Sequence, residues 1–346
     1  MRSNNNKHLL VIRLSSAGDV AMTIPVLQSL LVNFPSTSVS ILTKKQFAPL
    51  FENIKVSIIV AETDGIHKGF IGVLKLCKQI RKEYRVNAVA DLHNVLRSKV
   101  IRIFFWLSGS QIAFIDKGRK KLKKLTRKEG KELTQLPSRF ELYLNVFNRL
   151  GFQFPLAFKS IYDQCPELNE DILKITGQKS QKWIGIAPFA AYQSKIYPTV
   201  KMKQLIEYFA SRFSVKILLF GGGKVETEIF NNWQLEFVNS INVSEKLDLR
   251  NELILMANLD CMIAMDSANM HFASIVNIPV ISIWGATHPF AGFAPWGQPS
   301  TNEVSIDMYC RPCSVYGNIP CYRGDHACMN LLPASLIAEK LTSYVS

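Results

Sequence analysis

Short apolar runs alternate with helix-spaced stretches along almost the whole chain, and this alternation limits the fold more than any other feature of the sequence. His8 to Leu14 reads as a continuous apolar strand, and Val20 to Val32 carries apolar residues at helical spacing. Val39 to Thr43, Val56 to Val60, Val86 to Asp91 and Gln111 to Ile115 are further short apolar runs separated by helical stretches. Strands that are apolar throughout and interleaved with helices belong to a parallel sheet covered on both faces. The pattern becomes irregular over Gly151 to Lys182, where Pro155, Pro166 and Gly177 fall among polar residues. It then restarts with strand Trp183 to Ala187, helix Val200 to Phe213 and strand Val215 to Phe220, and continues to Ile283. A last helix is predicted from Pro333 to Tyr344. The expected architecture is α/β, with two doubly wound Rossmann-like domains in tandem. They divide as residues 1–160, residues 161–332 with a cysteine-rich loop at 308–330, and a C-terminal helix at 333–346. Ligands of doubly wound sheets bind beyond the carboxyl ends of the strands, so the cleft between two such domains is the expected active site.

Apolar residues make up 48% of the 346 residues and charged residues 20%, a globular composition. Met1 to His8 is polar and lacks the apolar stretch and cleavage site of a secretory signal. No apolar run approaches the ~18 residues of a membrane span, and the strongest, Ile101 to Leu107, reads as a core helix segment. A cytoplasmic protein is expected. The net charge of +14 is concentrated between Lys117 and Lys131, where nine basic residues face a single acid, Glu129. Such a run is either a solvated face or an attractor of phosphates on nucleic acid or anionic lipid. Leu122 and Leu125 within it suit a membrane interface, and no aromatic residue is present to stack on bases. The segment therefore points to an anionic acceptor or the membrane surface and away from nucleic acid.

Cys310, Cys313, Cys321 and Cys328 crowd one stretch with spacing C-x2-C-x7-C-x6-C. Disulfides are disfavoured in a cytosolic chain, which leaves a small tetrahedral site such as structural zinc, or reduced thiols packing a loop.

The first motif with chemistry is Arg13-Leu-Ser-Ser-Ala-Gly-Asp19, between the first strand and the first helix. Ser16 and Asp19 have capping-box spacing. The same carboxylate could take a proton from an acceptor hydroxyl, with Gly18 letting the chain approach a ligand closely. A base in this position would depend on placement more than on basicity. The second motif, Met265-Asp-Ser-Ala-Asn-Met-His271, follows an apolar strand and opens a helix, where backbone N–H groups and the helix dipole favour a diphosphate. His271 lies one turn further in, and the next strand ends in a similar small polar corner, Trp284-Gly-Ala-Thr287. Third, Lys195 in the loop Pro188 to Pro198 could neutralise a diphosphate leaving group. No Asp-x-Asp occurs in the chain, so the carboxylate clamp for a divalent metal is missing. Gly221-Gly-Gly223 after a strand is a further phosphate or nucleoside candidate, with Glu226 placed for a ribose hydroxyl. No G-x-G-x-x-G occurs, which disfavours a dinucleotide oxidoreductase.

Together these segments resemble glycosyltransferase family 9, the ADP-heptose:lipopolysaccharide heptosyltransferases. The resemblance rests on Ile12-Arg-Leu-Ser-Ser-Ala-Gly-Asp-Val20, Asp91-Leu-His-Asn-Val-Leu-Arg-Ser98, Lys195-Ile-Tyr-Pro198, Asp266-Ser-Ala-Asn-Met-His271 and Gly285-Ala-Thr287, in that order over nearly the whole chain. It implies a GT-B fold and inverting transfer from ADP-heptose with no cofactor required for the chemistry. Asp19 would be the general base, with Ser16 and Gly18 beside it. Lys195 would contact the donor phosphates, and Asp266, Ser267, Ala268, His271 and Thr287 would surround the diphosphate and sugar. Arg97 and Ser98 would face an anionic Kdo–lipid A type acceptor, with Lys120 and Lys124 of the basic segment as further partners, at the inner membrane. The sequence departs from the family at Ala268, where glycine is usual, and at Asn269. A GT-B-fold UDP-sugar epimerase and a non-catalytic nucleotide-sugar or lipopolysaccharide-binding protein are the alternatives.

Overall fold

Five parallel strands form the sheet of the first unit, in the order β3-β2-β1-β4-β5. They are β1 (His8–Ile12), β2 (Ser38–Thr43), β3 (Ser57–Val60), β4 (Val86–Asp91) and β5 (Gln111–Phe114). The structure, a computed structural model, describes residues 8–346, so the polar segment at 1–7 lies outside the described residues. Leu9 to Ile12 are fully buried, as a strand covered on both faces requires. Helices α1 (Ala17–Ala21), α2 (Thr23–Asn33), α3 (Gly69–Glu83) and α4 (Leu96–Leu107) follow their strands. The helix expected over Val20 to Val32 is divided at Met22, and Pro25 falls in the first turn of α2, where its missing N–H breaks no bond. The segment Ile101 to Leu107 is only half core: Ile101 and Phe105 are buried, whereas Ile103, Trp106 and Leu107 face outward.

The first unit consists of the chain up to Lys117 together with Arg139–Ile161; the second is Gly118–Ser138 with Tyr162–Ser346. A division near 160 thus misplaces one segment. Helix α5 (Arg119–Thr126) belongs to the second unit, and α6 (Arg139–Arg149) returns to the first. The reason is burial: Leu122 and Leu125 pack with Ala291, against Leu136, Phe290, Phe293 and Val315. Leu136 N–H also donates to the Phe290 carbonyl at 2.9 Å, and Lys131 Nζ to the Cys310 carbonyl at 2.7 Å. The two leucines are therefore core residues and present no apolar face to a membrane.

The second unit continues with α7 (Glu170–Thr176), β6 (Lys182–Ala187), α8 (Thr199–Arg212), β7 (Val215–Leu219), α9 (Lys224–Glu236) and β8 (Ser240–Asn242). Then come α10 (Leu249–Ala257), β9 (Cys261–Met265), α11 (Ala268–Ile275), β10 (Val280–Ile283), β11 (Glu303–Val304), α12 (Ala327–Asn330) and α13 (Ala334–Val345). Its six parallel strands are ordered β11-β10-β9-β6-β7-β8. Ile337, Leu341 and Val345 of α13 join the core of this unit, so residues 333–346 are part of it. Strand order reverses between β1 and β4 in one sheet and between β6 and β9 in the other. Those two switch points are where a doubly wound sheet opens a ligand crevice. Among the described residues, no helix is long and apolar enough to cross a membrane.

Candidate functional site

At the switch point of the first sheet, the loops after β1 and β4 bring Arg13, Asp19 and His93 together. Arg13 is the first residue beyond β1, and its buried guanidinium donates through Nη1 to the Leu92 carbonyl at 2.5 Å. Its Nη2 lies 2.5 Å from Asp19 Oδ2, and its guanidinium sits 5.9 Å from the centre of the Tyr143 ring. Tyr143 in turn donates its hydroxyl to the Asp19 carbonyl at 3.3 Å. Ser16 precedes α1 in extended backbone, but its hydroxyl donates to Asp19 Oδ2 at 2.9 Å and accepts no helix N–H. The capping-box reading is thus replaced by a polar cradle that orients one carboxylate. Gly18 is buried in α1.

The loop after β4 is shaped by Asp91. Its Oδ1 accepts from His93 N–H at 2.9 Å and Asn94 N–H at 2.8 Å, and its Oδ2 lies 3.3 Å from Arg102 Nε. His93 Nε2 lies 3.4 Å from Ser15 Oγ. Burial, with the charges of Arg13, Lys117 and Arg97, pushes the imidazole down to about 4 against the pull of Asp19. His93 is therefore a neutral neighbour of the carboxylate near pH 7. Half-buried Arg97 reaches the Thr63 carbonyl at 3.4 Å. Ser98 does not face a ligand: it is fully buried, and its hydroxyl accepts from Val95 N–H at 3.0 Å, capping α4.

The switch point of the second sheet holds Lys195 and Asp266, on the loops after β6 and β9. Their Nζ–Oδ2 separation is 3.2 Å, and each side chain is 12% exposed. Ser194 anchors the lysine loop by donating to the Gly317 carbonyl at 2.7 Å. Gly317 has φ +83°, and a Cβ there would stand 2.6 Å from Lys195 Cγ, so only glycine lets the two segments meet. Ser267 precedes α11 without capping it, and among the described residues neither its buried Oγ nor Oγ1 of Thr287, beyond β10, has a hydrogen-bond partner. Ala268 is the first residue of α11, so its Cβ sits in helical backbone, and His271 is buried one turn on. This corner offers a cation, two unspent hydroxyls and a helix N-terminus, the chemistry that suits a diphosphate.

The glycine loop after β7 is chemically different. Glu226 accepts from Gly222 N–H at 2.9 Å and Glu245 from Gly223 N–H at 2.9 Å. A Cβ on Gly221 would approach Glu226 Oε2 to 2.4 Å and Phe230 to 2.8 Å. With both amides taken by carboxylates, the loop suits sugar hydroxyls and not phosphate. Burial pushes the Glu226 carboxyl up, and the Gly222 hydrogen bond opposes that. Lys120 is exposed on α5, and Lys124 is paired there with Glu132 at 3.2 Å.

Cys310, Cys313, Cys321 and Cys328 form no disulfide and line one cavity of about 10 Å³ with Arg311 and His326. Burial pushes the Cys328 thiol up to about 11 and raises Cys313, with neighbouring thiols adding to both shifts. Among the described residues, no group of three or more His, Cys, Asp or Glu side chains is arranged to hold a metal ion. In this arrangement the four thiols face one another across a small cavity beside Arg311. Arg311 is what fastens this loop, donating to the carbonyls of Gly285 at 2.5 Å, Ile306 at 2.5 Å and Thr287 at 3.2 Å. Sequence reasoning missed Arg13, His93, Glu245 and Arg311. The first two stand inside motifs already singled out, so their signal was adjacency to a marked residue.

The profile of glycosyltransferase family 9 (heptosyltransferase) matches residues 73–321. Lipooligosaccharide heptosyltransferase 2 of Campylobacter jejuni serotype O:6 is 26% identical over 332 residues, 93% of this chain and 94% of the relative. The glycosyltransferase family 9 structure from Veillonella parvula superposes with a TM-score of 0.78 at 17% identity, covering 99% of this chain and 98% of that one. Escherichia coli ADP-heptose lipopolysaccharide heptosyltransferase II follows at 0.73 and 16%, covering 97% and 98%. Both structures share the two-sheet α/β architecture of the GT-B type.

Proposed function

The chain belongs to glycosyltransferase family 9, the heptosyltransferases, and on that footing we propose that it moves heptose from ADP-heptose to the inner core of a lipopolysaccharide-type acceptor, inverting the anomeric centre without a metal. The observation that carries this reading is the Asp19 carboxylate, oriented by Arg13 and Ser16 at the first switch point. Asp19 removes the proton of an acceptor hydroxyl, and that oxygen attacks the anomeric carbon from the face opposite the nucleotide. One C–O bond forms as the bond to the β-phosphate oxygen breaks, and ADP leaves with the electron pair. Lys195, Ser267, Thr287 and the N-terminus of α11 take up the charge on the leaving diphosphate, while Asp266 holds Lys195 in place. Glu226 and Glu245 fit the hydroxyls of the nucleoside. Arg97, Lys120 and Lys124 are the cations assigned to the anionic acceptor.

The absence of an Asp-x-Asp clamp and the presence of Lys195 support metal-free stabilisation of the leaving group. The names of the relatives, which specify lipooligosaccharide and ADP-heptose, support the acceptor and the donor. A lipid-borne acceptor also supports peripheral work at the cytoplasmic face of a membrane. The test is ADP release from purified protein given ADP-heptose, with and without a Kdo–lipid A acceptor, in EDTA. Acceptor-dependent release is the expected result. Release that needs a divalent metal would overturn the metal-free reading, and turnover of a UDP-sugar without acceptor would favour the epimerase.

A further inference from the structure

We propose that the outward face of α4 is a docking surface for an anionic lipid bilayer. Leu96, Ile103, Trp106 and Leu107 are 80%, 57%, 65% and 73% exposed, while Ser98, Ile101 and Phe105 fill the opposite, buried side. At helical spacing these four side chains and Lys99 share about 100° of the circumference, along roughly 16 Å of helix. The core face of α4 is already spent on the sheet, so the helix is apolar on both sides. An exposed contiguous apolar stripe is unusual on a protein that meets only water.

Charge decides the occupant. From Leu92 to Ile115 the only charged residues are Arg97, Lys99 and Arg102. Helix α3 packs beside α4 and carries Lys75, Lys78, Arg81 and Lys82 against one acid, Glu83. At the rim, Arg102 stacks on Phe114 at 4.0 Å, leaving that ring partly exposed. An outward tryptophan and aliphatic stripe bordered by cations and free of acids matches the headgroup layer of an anionic membrane, where indole rings and basic side chains both settle. The stripe differs from α5, whose cations are denser but whose leucines are buried. It deepens the proposed function, on which it rests for its purpose: a lipid-borne acceptor is met at that surface.

The test is flotation of the full chain with vesicles, in the absence of donor and acceptor. The wild type is expected to float with vesicles containing phosphatidylglycerol and to bind phosphatidylcholine vesicles weakly. Ile103→Ser/Trp106→Ser/Leu107→Ser should lose at least ~10-fold of that binding, and Lys99→Glu about 5-fold. All substituted positions are exposed, so circular dichroism and melting curves should stay unchanged. Indole fluorescence should shift to the blue on vesicles in the wild type and fail to shift in Trp106→Phe. Wild-type protein that ignores anionic vesicles would overturn the proposal, as would a triple variant that binds them normally. So would a wild-type dimer without vesicle binding that the triple variant disperses, since a second copy would then cover the stripe. Transfer activity is not part of this readout, so a failed heptosyltransferase assignment and a failed docking surface give different results.

Discussion

Replacing Asp19 by asparagine separates a catalytic carboxylate from a structural one. In the wild type, Arg13 Nη2 lies 2.5 Å from the carboxylate, with side chains 5% and 20% exposed. Exposed ion pairs contribute up to ~1 kcal/mol, and stripping one partner from a buried pair costs ~3–5 kcal/mol. This pair is wet on one side, and Arg13 keeps the Leu92 carbonyl and the Tyr143 ring, so Asp19→Ala should cost about 2 kcal/mol of stability. Asp19→Asn should cost about 1 kcal/mol, because an amide oxygen still accepts from Arg13 and Ser16. Loss of a general base removes at least ~100-fold in turnover, about 2.7 kcal/mol of barrier. A protein of ordinary stability, ~5–15 kcal/mol, stays about 99% folded after losing 1–2 kcal/mol, so the two effects are separable. In a continuous ADP-release assay at saturating donor and acceptor, Asp19→Asn should therefore lose at least ~100-fold in kcat while Tm moves by about 2–4 °C. Turnover within ~3-fold of wild type would refute the reasoning, as would a loss of turnover no larger than the loss of folded protein.

Other positions give independent checks. Lys195→Met removes the cation of the proposed donor corner and should weaken ADP binding ~10-fold or more in titration calorimetry; unchanged affinity would overturn the assignment of Lys195 to the donor. Leu125→Ala empties a fully buried position and should cost ~2–4 kcal/mol locally, seen as faster tryptic cleavage within Lys117 to Lys131; an unchanged digest would mean that α5 is not held by its leucines. Burial and Asp248 push the Glu252 carboxyl from 4.5 up to about 7. The native state therefore keeps a proton that the unfolded chain has released across that window, and stability falls as pH rises through it. Glu252→Gln should flatten this fall and add on the order of 2 kcal/mol at higher pH, measured by denaturant melts at several pH values.

The parallel sheets were legible because a strand buried on both faces must be apolar throughout, and Leu9 to Ile12 or Cys261 to Met265 satisfy that without help from the rest of the chain. Motif positions were legible for a related reason: the residue after a strand at a switch point has few places to go, so Arg13-to-Asp19 and Asp266-to-His271 both arrive at crevices. What was not legible depended on pairing across long sequence separations. Composition cannot say that Leu122 and Leu125 meet Phe290, and a basic run with two leucines looks the same whether those leucines face lipid or core. The error over Ile101 to Leu107 is its counterpart, since an apolar helix facing outward has the same sequence signature as one facing in. Ser98 fits a ligand-facing position by motif alone; only its fully buried hydroxyl, closed on Val95, shows that the helix itself uses it.

The passage of Gly118–Ser138 into the second unit also fixes an order of events during synthesis. Leu125 leaves the ribosome about 165 residues before Phe290, which at ~5–20 residues per second is a wait of about ten to thirty seconds. Throughout that interval the nascent chain carries the basic segment with Leu122 and Leu125 still uncovered. The first unit cannot close either until Arg139–Ile161 has followed. The half-made protein therefore exposes two leucines that the finished one buries, and they are covered only when the second sheet assembles.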